Sequence, residues 1–147
     1  MVRQTVCLLL GSLISVASSA EVVEIDPAQL ARLSASGVPI IDVRTEAEWR
    51  ETGVIAGSRL VTFVDERGRT DSSAWLAKVQ ELTKRKQPVI VVCRSGKRSR
   101  AASEFLSQQA GYSTVYDLRG GLLAWDKEGL PLAPAVTPAT CPAGARC

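Results

Sequence analysis

Val89-Ile90-Val91-Val92-Cys93-Arg94-Ser95-Gly96-Lys97-Arg98-Ser99 is the stretch that decides how this chain folds. Four consecutive apolar residues fit a strand buried on both faces of a parallel sheet. A cysteine follows where that strand ends, then a tight basic loop, then a helical segment expected over residues 99–109. This order aims backbone N–H groups and the positive end of a helix dipole at one small spot. Arg94, Lys97, Arg98 and Arg100 add cationic side chains around it. Such surroundings favour a thiolate and hold an anion beside it. Cys93 is therefore the candidate nucleophile, and Arg94, Ser95, Gly96, Lys97, Arg98 and Ser99 form the candidate anion-binding loop.

The flanking sequence alternates strand and helix signals. Val22-Val23-Glu24-Ile25 reads as a strand, and Asp26-Pro27 as an N-cap with proline at the first helical position. Leu30 and Leu33 share one face of that helix, and Gly37 ends it. Pro39-Ile40-Ile41-Asp42-Val43 is the next strand. Thr45 with Glu48 three residues on forms a capping box for a helix through Trp49. Gly53 and Gly57 punctuate a turn, and residues 60–64 make a third strand. Ser72 or Ser73 caps a helix with an apolar stripe of Trp75, Leu76, Val79 and Leu82, and Lys84-Arg85-Lys86 form its solvated end. After the central loop, Ala101, Ala102, Phe105 and Leu106 are expected on the inner helix face, followed by Gly111. Thr114-Val115-Tyr116 is the last strand, Gly120-Gly121 a turn, and residues 122–127 a short helix. The pattern indicates an α/β domain with a parallel sheet and helices on both faces. Ligands bind at the carboxyl ends of such strands. That edge carries Asp42-Val43-Arg44, Phe63-Val64, Cys93 and Asp117-Leu118-Arg119. Trp49, Trp75 and Trp125 are expected in the core.

The chain has 147 residues, of which 46% are hydrophobic and 22% charged, a size that suits one ordinary domain. Its formal charge of +3 is mild and its dense basic cluster is one loop, which disfavours nucleic-acid binding. There is no histidine, so the usual general base for a nucleophilic cysteine is missing and activation falls to charge, dipole and backbone donors. Arg3, an apolar run from Val6 to Val16 and small residues at Ser18-Ser19-Ala20 read as a signal peptide cut after Ala20. The apolar run is too short for a membrane anchor. The expected location is periplasmic or secreted. In an oxidising compartment Cys141 and Cys147 are the natural disulfide pair, which leaves Cys93 as the odd thiol. The expected divisions are residues 1–20 as leader, 21–132 as folded domain and 133–147 as a Pro/Ala-rich tail.

Three segments together resemble the single-domain rhodaneses, the thiosulfate sulfurtransferase-like family. They are Ile41-Asp42-Val43-Arg44 with Glu48-Trp49, the Cys93–Ser99 loop, and Leu118-Arg119-Gly120-Gly121-Leu122-Leu123-Ala124-Trp125. The resemblance covers residues 22–132 and implies a five-stranded parallel sheet flanked by helices. It implies that Cys93 takes a sulfane sulfur from a thiosulfate-like donor as a persulfide, and that a thiol or cyanide acceptor removes it. No cofactor or metal is implied. Loop N–H groups would cradle the terminal sulfur, while Arg94, Lys97 and Arg98 would attract the donor. Arg44 and Arg119 would line the rim, or else pair with Asp42 or Asp117. The chain departs from the family at Gly53-Val54-Ile55-Ala56-Gly57-Ser58, where histidine and proline are usual. Two alternatives compete. One is a cysteine-dependent phosphatase or arsenate reductase, which needs arginine at the sixth position after the cysteine; Ser99 stands there, with Arg98 and Arg100 on either side. The other is a persulfide carrier or thiol-redox partner, in which Cys141 or Cys147 would resolve Cys93.

Overall fold

The computed structural model describes residues 20–136. In chain order the elements are β1 (Glu21–Ile25), α1 (Pro27–Ala35), β2 (Ile40–Asp42), α2 (Glu46–Thr52), β3 (Arg59–Leu60), α3 (Ser72–Leu82), β4 (Val89–Val92), α4 (Lys97–Gln108), β5 (Thr114–Leu118) and α5 (Gly121–Lys127). The strands form one sheet in the order β1-β5-β4-β2-β3, and every pairing is parallel. The expected leader and the Cys141–Cys147 pair involve residues 1–19 and 137–147, which lie outside the described residues.

The apolar run chosen from the sequence is the centre of the sheet. Val89, Ile90, Val91 and Val92 have no exposed surface. Alternate residues serve opposite layers, because successive side chains of a strand point to opposite faces. Val89 and Val91 pack with Trp75 and Val79 of α3 and Ala102 and Leu106 of α4. Ile90 and Val92 pack with Leu30 of α1 and Leu122 and Trp125 of α5. Helices thus cover both faces. Trp49, Trp75 and Trp125 are all buried.

Local capping follows the sequence closely at two helices. Asp26 and Gln29 close a capping box at α1, and Thr45 and Glu48 close another at α2. Elsewhere the structure corrects the expectation. Asp71, not Ser72 or Ser73, caps α3, its carboxylate accepting from the Ala74 N–H at 2.9 Å. Lys84-Arg85-Lys86 lie beyond the C-cap Thr83 rather than in the last helical turn. The third strand is two residues long, an edge with one neighbour. Val61 and Phe63 still donate to Asp42 and Val43 carbonyls (3.1 Å each) before the chain turns away. Helix α4 begins at Lys97, and its inner stripe is Ser99, Ala102, Ser103, Leu106 and Ser107, leaving Ala101 exposed. Ala102 and Leu106 are buried as expected and Phe105 packs against the same core; the three serines complete the stripe.

Candidate functional site

Cys93 is the first residue after β4 and sits, 1% exposed, at the carboxyl edge of the central strand. The loop then curls back on it. Gly96 adopts φ +94°, a conformation that side chains with a Cβ rarely tolerate. This turn brings the Gly96 N–H to 3.1 Å from Cys93 Sγ, as donor to the sulfur. Gly96 is also the N-cap of α4 and offers no side-chain cap. The first-turn N–H groups of α4 are therefore left for an anion, with the helix dipole behind them.

Helix α5 holds the other side of the loop. Leu122 N–H donates to the Cys93 carbonyl at 2.9 Å, and Leu123 N–H donates to the Arg94 carbonyl at 3.0 Å. This contact needs a bare backbone. A methyl group on Gly121, which has φ +59°, would collide with the carbonyls of Cys93 and Arg94. The glycine pair read as a turn is thus part of the site's frame.

The loop cations divide into two groups. Arg98 grips Glu48 of α2 with both nitrogens, at 2.7 and 2.6 Å. That guanidinium lowers the Glu48 carboxyl from 4.5 to about 2, partial burial opposing it. Arg98 is raised in turn by the same hydrogen bonds. Arg100 bonds Glu104 and Glu24, each at 2.8 Å. Arg94 and Lys97 are exposed and make no ion pair among the described residues. Of the loop cations expected to attract a donor, Arg98 is instead a brace between α4 and α2, and Arg94 and Lys97 retain unspent charge.

The two rim candidates also part company. Arg44 is 1% exposed. It bonds the Asp42 carboxylate (2.7 Å from Nη2), the Thr52 hydroxyl (2.7 Å) and the Gly53 carbonyl (2.8 Å). A buried guanidinium must satisfy its five donors, and these partners do so while tying the end of β2 to the end of α2. It is a structural residue, not a free rim cation. Arg119 is exposed just past β5, with its backbone N–H held by the Ile25 carbonyl at 2.9 Å. Its guanidinium does not pair with Asp117.

Asp117 is a feature that the sequence reading left as a possible salt-bridge partner. It is 3% exposed and its Oδ1 has no hydrogen-bond partner. Burial pushes its carboxyl up to about 6, with Ser99 and Arg100 opposing. A lone charged residue in an otherwise uncharged strand was the available signal.

The Rhodanese-like domain family matches residues 26–128, most of the chain and all of the site. The chain belongs to the rhodanese family of sulfurtransferases. It is 32% identical over 126 residues to thiosulfate sulfurtransferase 18 of Arabidopsis thaliana, covering 82% of this chain and 90% of that one. It is 43% identical over 49 residues to the thiosulfate sulfurtransferase GlpE of Actinobacillus pleuropneumoniae, 33% of this rhodanese and 44% of that protein. The crystal structure of a rhodanese-related protein from Thermoplasma volcanium superposes with a TM-score of 0.60 at 29% identity, covering 77% of this chain and 99% of that one. A structure from M. tuberculosis gives 0.66 at 28% identity, covering 80% and 100%. The five-stranded parallel sheet expected from the resemblance is the one observed.

Proposed function

We propose that this rhodanese transfers sulfane sulfur from thiosulfate, or a donor like it, to a thiol acceptor through a persulfide on Cys93. In the first step the Cys93 thiolate attacks the outer sulfur of thiosulfate. A Cys93 Sγ–S bond forms, the donor's S–S bond breaks, and sulfite leaves with the electron pair. In the second step an acceptor thiolate attacks the outer sulfur of the persulfide. The new persulfide departs on the acceptor and the electron pair returns to Cys93.

The observation that carries this reading is the Gly96 N–H donating to Cys93 Sγ at 3.1 Å, at the uncapped start of α4. Backbone donors stabilise negative charge on sulfur without a general base, which suits a chain that has no histidine. Arg94 and Lys97 supply exposed positive charge for a dianionic donor. The phosphatase alternative loses support at the same place. A phosphoryl clamp needs a free guanidinium at the sixth position after the cysteine, whereas the two arginines beside that position are occupied, Arg98 by Glu48 and Arg100 by Glu104 and Glu24. With residues 1–20 read as a leader, we place this activity outside the cytoplasm, in the periplasm or medium.

The test is steady-state turnover of thiosulfate with cyanide and with a panel of thiols. Wild type should be active with at least one acceptor and Cys93→Ser inactive with all. Equal activity in the two proteins would refute the proposal. Loading of sulfur without turnover by any acceptor would favour a persulfide carrier.

A further inference from the structure

A cleft of about 410 Å³ opens beside the loop, between α2 and α5. Its apolar wall is Leu122, Leu123 and Leu132, and its charged lining includes Arg94, Glu51 and Asp126. Leu123 is 51% exposed, and its backbone N–H holds the loop at the Arg94 carbonyl. The segment after α5 is fixed in place: Trp125 Nε1 donates to the Pro131 carbonyl at 3.0 Å, and Val54 and Ala133 exchange two backbone bonds of 2.8 Å. The cleft adjoins the nucleophile's loop through Arg94, which lines it. Arg94 is the residue next to Cys93, one Cα step of about 3.8 Å away. The amides of Leu122 and Leu123 bond the carbonyls of Cys93 and Arg94.

The charges in this cleft favour one kind of visitor. Arg44 and Glu48 also line it, but each is neutralised, by Asp42 and Arg98 respectively. What remains is one cation, Arg94, at the loop end and two exposed carboxylates, Glu51 and Asp126, which form no ion pair among the described residues. This net-negative groove repels a dianion such as thiosulfate. It fits a molecule whose body is apolar and whose far end is positive.

We propose that the α2–α5 cleft is the acceptor subsite, and that it selects small thiols carrying a positively charged amine. The inference rests on the sulfurtransferase reading of Cys93. The acceptor's thiolate attacks the outer sulfur of the persulfide. Meanwhile its methylene groups lie on Leu122 and Leu123 and its ammonium lies between Glu51 and Asp126. Donor and acceptor are thereby separated by charge: the donor is drawn to Lys97 and Arg94, the acceptor to the acidic cleft.

The test compares cysteamine with 3-mercaptopropionate, thiols with opposite charges, at matched thiolate concentrations and low salt. Cys93 is first loaded from thiosulfate and the persulfide is verified by intact mass; its discharge by each thiol is then timed. Relative to the rates of the same two thiolates with a small-molecule persulfide, wild type should prefer cysteamine. In Glu51→Gln/Asp126→Asn, both substitutions at exposed positions, that preference should fall by about 1.5- to fivefold, the range expected of exposed ion pairs. Normal loading with an unchanged ratio in the double variant, or a wild-type preference for the anion on that relative scale, overturns the subsite. Failure to load overturns the sulfurtransferase reading and the subsite with it.

Discussion

Glu48→Gln tests whether the loop is held from α2 by charge. Glutamine keeps the volume and can still close the capping box on the Thr45 N–H, so the substitution isolates the pair with Arg98. In wild type the Glu48 carboxyl is lowered from 4.5 to about 2, chiefly by Arg98. At about 1.4 kcal/mol for each pKa unit, the full shift would correspond to about 3 kcal/mol. The Glu48 side chain is 23% exposed, so solvent screens part of this. A loss of about 1–2 kcal/mol at pH 7 is the expected effect. The sign with pH follows from a depressed folded-state pKa. The stabilisation is fully present above 4.5 and disappears as pH falls toward 2. Denaturant unfolding of both proteins at pH 7, 5, 3.5 and 2.5, the acid points in mild denaturant only, should show the gap between them closing through the acid range. A gap of constant size, or none at pH 7, would refute the assignment of Arg98 to structure.

Three further outcomes follow from the same geometry. Asp117→Asn should stabilise the fold by about 1–3 kcal/mol at pH 7.5 and change it little at pH 3.5, provided the amide fits. The raised carboxyl of Asp117, up to about 6, favours folding only below its unfolded value and penalises it as pH rises through 6; pH-resolved unfolding curves give the check, and an equal effect at both pH values would contradict it. Gly121→Ala should cost more than about 2 kcal/mol and slow sulfur loading, since the loop carbonyls must move away from the new methyl; an unchanged Tm would show that the α5 contact is not required. Aryl phosphate should not be turned over, because Arg98 and Arg100 are both occupied; hydrolysis lost in Cys93→Ser would reverse this.

The sheet was legible because its signals are local. Val89 to Val92, buried on both faces, needs only four residues to announce itself, and the caps at Asp26 and Thr45 act across three. Cys93 and Gly96 were legible for the same reason, since the turn that joins them spans three residues. What the sequence concealed lies at long range. Glu48 and Arg98 are fifty residues apart, and either could have been a solvated charge. Arg44 had two readings, a rim cation or a partner of Asp42. Burial decides between them, and burial comes from packing that a linear pattern does not record. On the inner face of α4, Ala102, Phe105 and Leu106 were legible, whereas Ser99, Ser103 and Ser107 were not, because a polar side chain gives no apolar signal of its burial. The cleft between α2 and α5 was not legible because its walls come from four separate segments of the chain that only the fold brings together.

The central claim is that Cys93 carries sulfur. The most direct measurement is the mass of the protein after brief exposure to thiosulfate, followed by peptide mapping under conditions that preserve persulfides. The account predicts a species heavier by one sulfur atom, located on Cys93, absent in Cys93→Ser and discharged by an added thiol. An unmodified Cys93 in a protein whose thiol is verified as reduced would contradict it.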